Sequence, residues 1–119
     1  MTVIPSVRKI VADVGALLAN PDDWIKGNWA LNKDNKPVLS VSKTAVKFDL
    51  AGAFNRVYKD YPQEPETLAH WLMAREGFLR AIEHLHGEGW YSLLEFNDNP
   101  DVGHRHIMDI VHLLRDHLD

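Results

Sequence analysis

The sequence predicts a mainly α fold of the α+β kind, with about four amphipathic helices around one core and a small β-hairpin between the first two. Three observations carry that reading. Apolar residues recur at three- and four-residue spacings in four segments. Prolines stand at the ends of those segments, and two short β-capable runs flank the polar stretch Lys33-Asp34-Asn35-Lys36. A chain of 119 residues suits a single domain over 1–119. At that size folding removes roughly two-thirds of the unfolded chain's surface from water, enough for a core without staples.

The first helix is expected over Ser6 to Ala19, where Val7, Ile10, Val11, Val14, Leu17 and Leu18 fall on one face behind Pro5. Asn20-Pro21 stops it, because proline lacks an amide donor and disfavours a helical residue before it. Trp24 to Asn32 and Pro37 to Val41 then read as the two arms of the hairpin. Two strands alone are marginal in water, so the hairpin must lean on the helices, with Trp24 and Trp29 as anchors. A second helix is expected after Ser40 or Ser42, either of which can cap it, with Val46, Leu50, Ala53, Phe54, Val57 and Tyr61 inward.

Pro62 ends that helix, and a third begins near Pro65 with Glu64 and Glu66 at its positive end. Leu68, Trp71, Leu72, Phe78, Leu79, Ile82 and Leu85 make the strongest amphipathic stripe in the chain. Gly77 interrupts it and points to close packing there. Gly87 and Gly89 end the run. Trp90 to Phe96 reads equally as strand, helical turn or extended cover. Asn97-Asp98-Asn99-Pro100-Asp101 has turn chemistry. The last helix starts near His104, with Ile107, Ile110, Val111, Leu114 and Leu118 inward.

Composition removes whole classes of function. There is no cysteine, which excludes disulfides, cysteine-ligated zinc, iron–sulfur clusters and a thiol nucleophile. The apolar runs are only a few residues long, so no membrane span is expected. The opening MTVIPSVRK has neither the apolar stretch nor the cleavage site of a signal peptide, and a cytoplasmic location is expected. Up to Pro62 the chain has nine Lys and Arg against six Asp and Glu, and from Gln63 four against eleven, giving +3 and −7. All seven histidines lie in the acidic part. That distribution argues against a nucleic-acid partner, which needs a cationic face. It allows a pH-responsive surface, although solvated helix positions explain most of the histidines.

The run from Val7 through Phe54, with Trp24, Gly27, Ala45-Val46 and Gly52-Ala53, resembles a bacterial domain of unknown function numbered 6197. Phe96-Asn97-Asp98 followed by Pro100 and an amphipathic helix is similar to that family's aromatic-Asn-Asp-x-Pro signature. The resemblance covers nearly the whole chain, matching in pattern more than in letters between Tyr58 and Trp90, and implies a fold without an activity. Two departures stand out. Members often carry a cysteine around Lys47–Asp49, absent here. They also tend to open the last helix with a Thr or Ser cap and a Glu three residues on, where this chain has Gly103 and His106, a weaker cap.

No catalytic residues and no cofactor are assigned. Asn97 and Asp98 are the first ligand candidates, although Asn and Asp also close turns through nearby amides, and Asp101 can cap the next helix. His104 and His106 are the metal candidates, with Asp98 or Asp101 as a carboxylate partner. Two residues apart on a helix they point roughly 200° apart, so they chelate only if the first turn unwinds. His84 and His86 share that difficulty, and His70 beside Trp71 reads as a boundary histidine. Asp49, near the edge of the second helix's apolar face, is expected to reach water. If buried, it needs Lys47, Arg75 or Arg80 as partner, or becomes neutral. Gly52-Ala53 reads as a small-residue patch for close helix contact, and no serine sits in a nucleophile elbow. Trp24, Trp29, Trp71 and Trp90 are read mainly as core and partly as interface.

The leading functional expectation is a non-enzymatic module for protein contact, with self-association first. The alternative is a small-molecule or metal-dependent enzyme with its site near the Asn97–His106 turn. A weaker third is pH-dependent association through the acidic, histidine-bearing half.

Overall fold

The computed structural model describes residues 3–90 and 92–117. Its elements are α1 (Val7–Leu18), a single 3-10 turn (Pro21–Asp23), β1 (Ala30–Leu31), β2 (Lys47–Phe48), α2 (Leu50–Lys59), α3 (Pro65–His86), α4 (Leu93–Asp98) and α5 (His104–His117). The fold class is the one the periodicity predicts, mainly α with a small hairpin, and none of the described helices is long and apolar enough to cross a membrane.

Helix α1 is central, packing against α2, α3 and α5. Ser6 caps it by accepting from Lys9 N at 3.0 Å, and it buries Ile10, Val11, Val14 and Leu18. It approaches α5 closely at Gly15, where a Cβ would stand 2.6 Å from Val111 Cγ1. Phe54 and Phe78 meet edge to face at 5.0 Å between centroids, joining α2 to α3 in the centre of the same buried cluster. Ile107, Ile110 and Val111 of α5 complete it. Leu118 lies outside the described residues.

The hairpin is shorter and differently partnered than its sequence suggests. Asn32 N donates to Lys36 O and Leu31 bridges Pro37, so the polar turn does reverse the chain. The ladder itself runs to a later segment, antiparallel, with Ala30 opposite Phe48 and Leu31 opposite Lys47. On its other side Phe48 O accepts from Ile25 N at 3.1 Å. The second helix therefore begins at Leu50 and not after Ser40 or Ser42, and Val46 is exposed instead of inward. Asp49 caps this helix, because an extended strand ending in a side chain that accepts amide protons is a sufficient start signal.

Two further readings change. Helix α3 buries Thr67, Ala74, Phe78, Ala81 and Ile82, while Leu68, Leu72 and Leu85 are exposed. The apolar stripe is wider than the core it faces: Phe78 and Ile82 are buried as expected, and its outer leucines stay in water. Gly77 is not what permits this packing: a Cβ there would meet only Leu114 Cδ2, at an ordinary 3.5 Å. As a mid-helix glycine it costs roughly 1 kcal/mol against alanine. The ambiguous Trp90–Phe96 piece resolves at its far end as the start of α4, capped by Ser92 accepting from Glu95 N at 3.1 Å. Asn97 and Asp98 thus end a helix, and the turn begins at Asn99. Asp101 does not cap α5; its amide donates to Asn99 Oδ1.

Candidate functional site

Residues Leu93, Phe96 and Asn97 share the inward face of α4 at i, i+3 and i+4, which drives an amide into the core beside two hydrophobes. Asn97 is fully buried, so its polar atoms must be satisfied by protein. They are. Its Oδ1 accepts from Trp24 Nε1 at 2.6 Å and from Leu50 N at 3.0 Å, and its Nδ2 donates to Ile25 O and to Asp98 Oδ1, both at 3.0 Å. Two donors facing the oxygen and two acceptors facing the nitrogen fix the orientation of the amide and use its full capacity. Asp98 Oδ1 also accepts from Gly27 N at 3.1 Å, and Lys26 Nζ donates to Asn99 O at 2.6 Å. The segment Trp24–Gly27, the start of α2 and the end of α4 are tied at one point.

The neighbouring histidines are spent in the same way. His104 Nε2 donates to Leu18 O at 2.6 Å, closing the C-terminal end of α1, and its ring lies 6.2 Å from that of Trp24. His106 Nδ1 accepts from Gly103 N at 2.9 Å, the backward bond a capping-box acid makes, so an imidazole stands in for the glutamate. His70 Nδ1 meets Pro5 O at 2.8 Å and joins α3 to the chain before α1. Among the described residues no three His, Asp or Glu side chains converge as metal ligands would. His104 and His106 point to different backbone partners, and Asp98 faces Gly27 and Asn97.

The family model for DUF6197, a family of unknown function, matches residues 4–117. The chain belongs to DUF6197. No curated protein and no solved structure matches it. In this DUF6197 chain the aromatic-Asn-Asp-x-Pro signature has a physical account: Phe96 fills the core, Asn97 and Asp98 hold the 24–27 segment, and Pro100 follows where the helix has ended.

Asp49 departs from its expected place at the water's edge. It is fully buried. Its Oδ1 caps α2 by accepting from Gly52 N at 2.6 Å, and its Oδ2 has no hydrogen-bond partner among the described residues. None of the expected cations reaches it: Lys47 bonds Asn35, Arg75 lies over Trp71 and Arg80 pairs with Glu76. Burial pushes its carboxyl up to about 6, the Gly52 amide opposes that, and the charge of Asp98 adds to it. A folded-state value above the unfolded 3.8 means that the folded chain binds the extra proton. Stability should therefore be highest at and below pH 4 for this group and fall as pH rises through 6. The full loss is about 3 kcal/mol for a shift of this size. Urea unfolding at pH 5 and pH 8 should show the decline, and Asp49→Asn, which keeps the cap acceptor without the charge, should flatten it.

The tryptophans divide. Trp24, Trp71 and Trp90 pack against the core, whereas Trp29 is 50% exposed. Trp29 borders a cleft of about 210 Å³ between α2, α3 and α4, lined also by Ala51, Asn55, Trp71, Arg75 and Leu94. Trp71 Nε1 donates to Phe54 O at 2.9 Å, which holds its ring, and the Arg75 guanidinium lies 5.0 Å from the centre of that ring. Leu68 and Leu72 flank Trp71 and Arg75 on α3, with Leu72 47% exposed. The sequence makes Trp29 an anchor of the hairpin, yet half of it stays in water, and the sequence offers Arg75 only as a partner for Asp49. The i, i+4 spacing of Trp71 and Arg75 is the signal that would have paired them.

Proposed function

We propose that the protein is a non-enzymatic interaction module that associates with a second copy of itself through the Trp29–Trp71–Arg75 cleft. The observation that supports this most is Trp29, a large side chain left half in water over a cleft whose opposite wall is an aromatic ring with an arginine stacked on it. Tryptophan and arginine dominate the centres of protein interfaces, and here they stand beside the exposed Leu68 and Leu72. A second copy is the occupant we propose because the cleft is both concave and edged by a protruding half-exposed indole, so one copy carries an anchor and a hollow of matching aromatic and apolar chemistry. Nucleic acid does not suit a chain of net charge −4. The enzymatic alternative near residues 97–106 has less support, since Asn97, Asp98, His104 and His106 are all engaged in holding backbone.

Light scattering coupled to size exclusion tests the reading. A dimer is expected, and Trp29→Ala or Arg75→Glu should shift it to monomer by weakening association more than about tenfold, while helical content is unchanged. A wild-type monomer at high concentration, or a dimer indifferent to both substitutions, overturns it.

A further inference from the structure

On the opposite side of α3 a second concavity runs between that helix and α5. It holds about 410 Å³ and is the most apolar of the clefts described, floored by Gly77, Ala81, Leu113 and Leu114. Among the described residues its polar lining is one arginine and two histidines. Arg80, His84 and His117 edge it and, among the described residues, no carboxylate lines it, although the chain from Gln63 onward carries −7. The volume lies within the ordinary range of small-ligand pockets, roughly 300–1,000 Å³.

Gly77 supplies the second observation. It is helical, it has no left-handed backbone to accommodate, and among the described residues only Leu114 Cδ2 stands near the place its Cβ would take. The fold thus gives no reason for a residue that weakens the helix. The groove does: any side chain at 77 would project into its floor. We propose that the α3–α5 groove binds a single-chain aliphatic carboxylate, of the class of a medium-chain fatty acid. The tail lies along Gly77, Ala81 and Leu114, and the acid head meets Arg80 at the rim. Arg80 gives only its Nε to Glu76, at 3.3 Å, in an exposed pair, which leaves guanidinium protons for a ligand carboxylate.

Calorimetric titration of the intact chain with decanoate, decanol and decyltrimethylammonium tests this. Decanoate should bind about tenfold more tightly than decanol, and the cation should not bind. Gly77→Leu should lower decanoate affinity by more than about tenfold by filling the floor. Gly77→Ala, which the available space accepts, should fold at least as well as the wild type and lower affinity less. Arg80→Gln should remove the preference for the acid while leaving decanol binding in place. Equal binding of all three head groups, or decanoate affinity unmoved by either Gly77 variant, overturns the proposal. So does a Gly77→Leu chain that loses a dimer and has no ligand to lose, because the groove is then a seam between copies. The Trp29 cleft stands or falls separately, since Trp29→Ala leaves this groove untouched.

Discussion

Asn97→Ala is expected to cost about 4 kcal/mol, most of the stability that a domain of this size has to lose. The substitution leaves the Trp24 indole N–H, the Leu50 amide and the Ile25 carbonyl without their partner. The Leu50 amide is buried and the other two groups are part-buried; a buried group left unpaired carries a penalty of about 1–3 kcal/mol, well above the net worth of a hydrogen bond that water replaces. The space left behind is small and walled by α4, so solvent does not readily repair all three. Asn97→Asp should be nearly as damaging for a different reason. It keeps an acceptor for Trp24 and Leu50, but its second oxygen would face the Ile25 carbonyl and the Asp98 carboxylate, with Asp49 also near. That variant should recover stability on acidification, whereas Asn97→Ala should not. Urea unfolding of both at pH 5 and pH 8 separates the two mechanisms. A loss below about 1 kcal/mol for Asn97→Ala would mean that the amide is not the clamp, and would reopen a ligand role for it.

The helices were legible because a buried helical face writes its period into the sequence. Val7 to Leu18 and Ile107 to Leu114 carry their inward residues at three- and four-residue steps, and the faces they bury follow that pattern. Strand β2 has two residues, too few to show alternation, and it is followed directly by α2, so the helical period swallowed it. The stripe on α3 is only partly a guide: Phe78 and Ile82 are buried as it predicts, but Leu68, Leu72 and Leu85 are exposed, and Thr67, Ala74 and Ala81 take core positions that a search for large apolar residues passes over. The clamp was invisible as a clamp. Asn97 reaches partners 47 and 73 positions away in the chain, and no local spacing encodes such a bond. Only the juxtaposition Asn-Asp-x-Pro marked the place, and its turn chemistry suggested the wrong local structure. The same holds for His106, whose capping role needs the Gly103 amide and not a metal.

Gly52→Ala should prove of comparable severity, and its value as a test lies in its sign. Within a helix this substitution ordinarily stabilises by up to about 1 kcal/mol, because alanine loses less backbone freedom on folding. At position 52 the new Cβ would run into the carbonyl oxygen of Trp29 and stand 2.8 Å from its carbonyl carbon. Those are backbone atoms, which cannot rotate away. To relieve the overlap, α2 and β1 must part, and that movement strains two bonds on the same turn: the Trp29 carbonyl's acceptance of the Asp49 amide at 3.2 Å and the Asp49 cap on Gly52 N at 2.6 Å. Lost packing, a weakened cap and a buried carboxylate deprived of its single donor together come to about 3 kcal/mol or more. Gly77→Ala is the internal control, since it adds the same methyl to another helix where only Leu114 stands nearby, and it should raise stability by up to about 1 kcal/mol. Opposite shifts in the urea midpoint from one chemical change locate the cost in the Trp29 contact and exclude helix propensity as its source. Equal shifts of either sign would remove the close approach of β1 to α2 from the account of this fold. Because Trp29 also borders the proposed self-association cleft, any Gly52→Ala chain that remains folded should additionally dissociate more readily, which size exclusion would show.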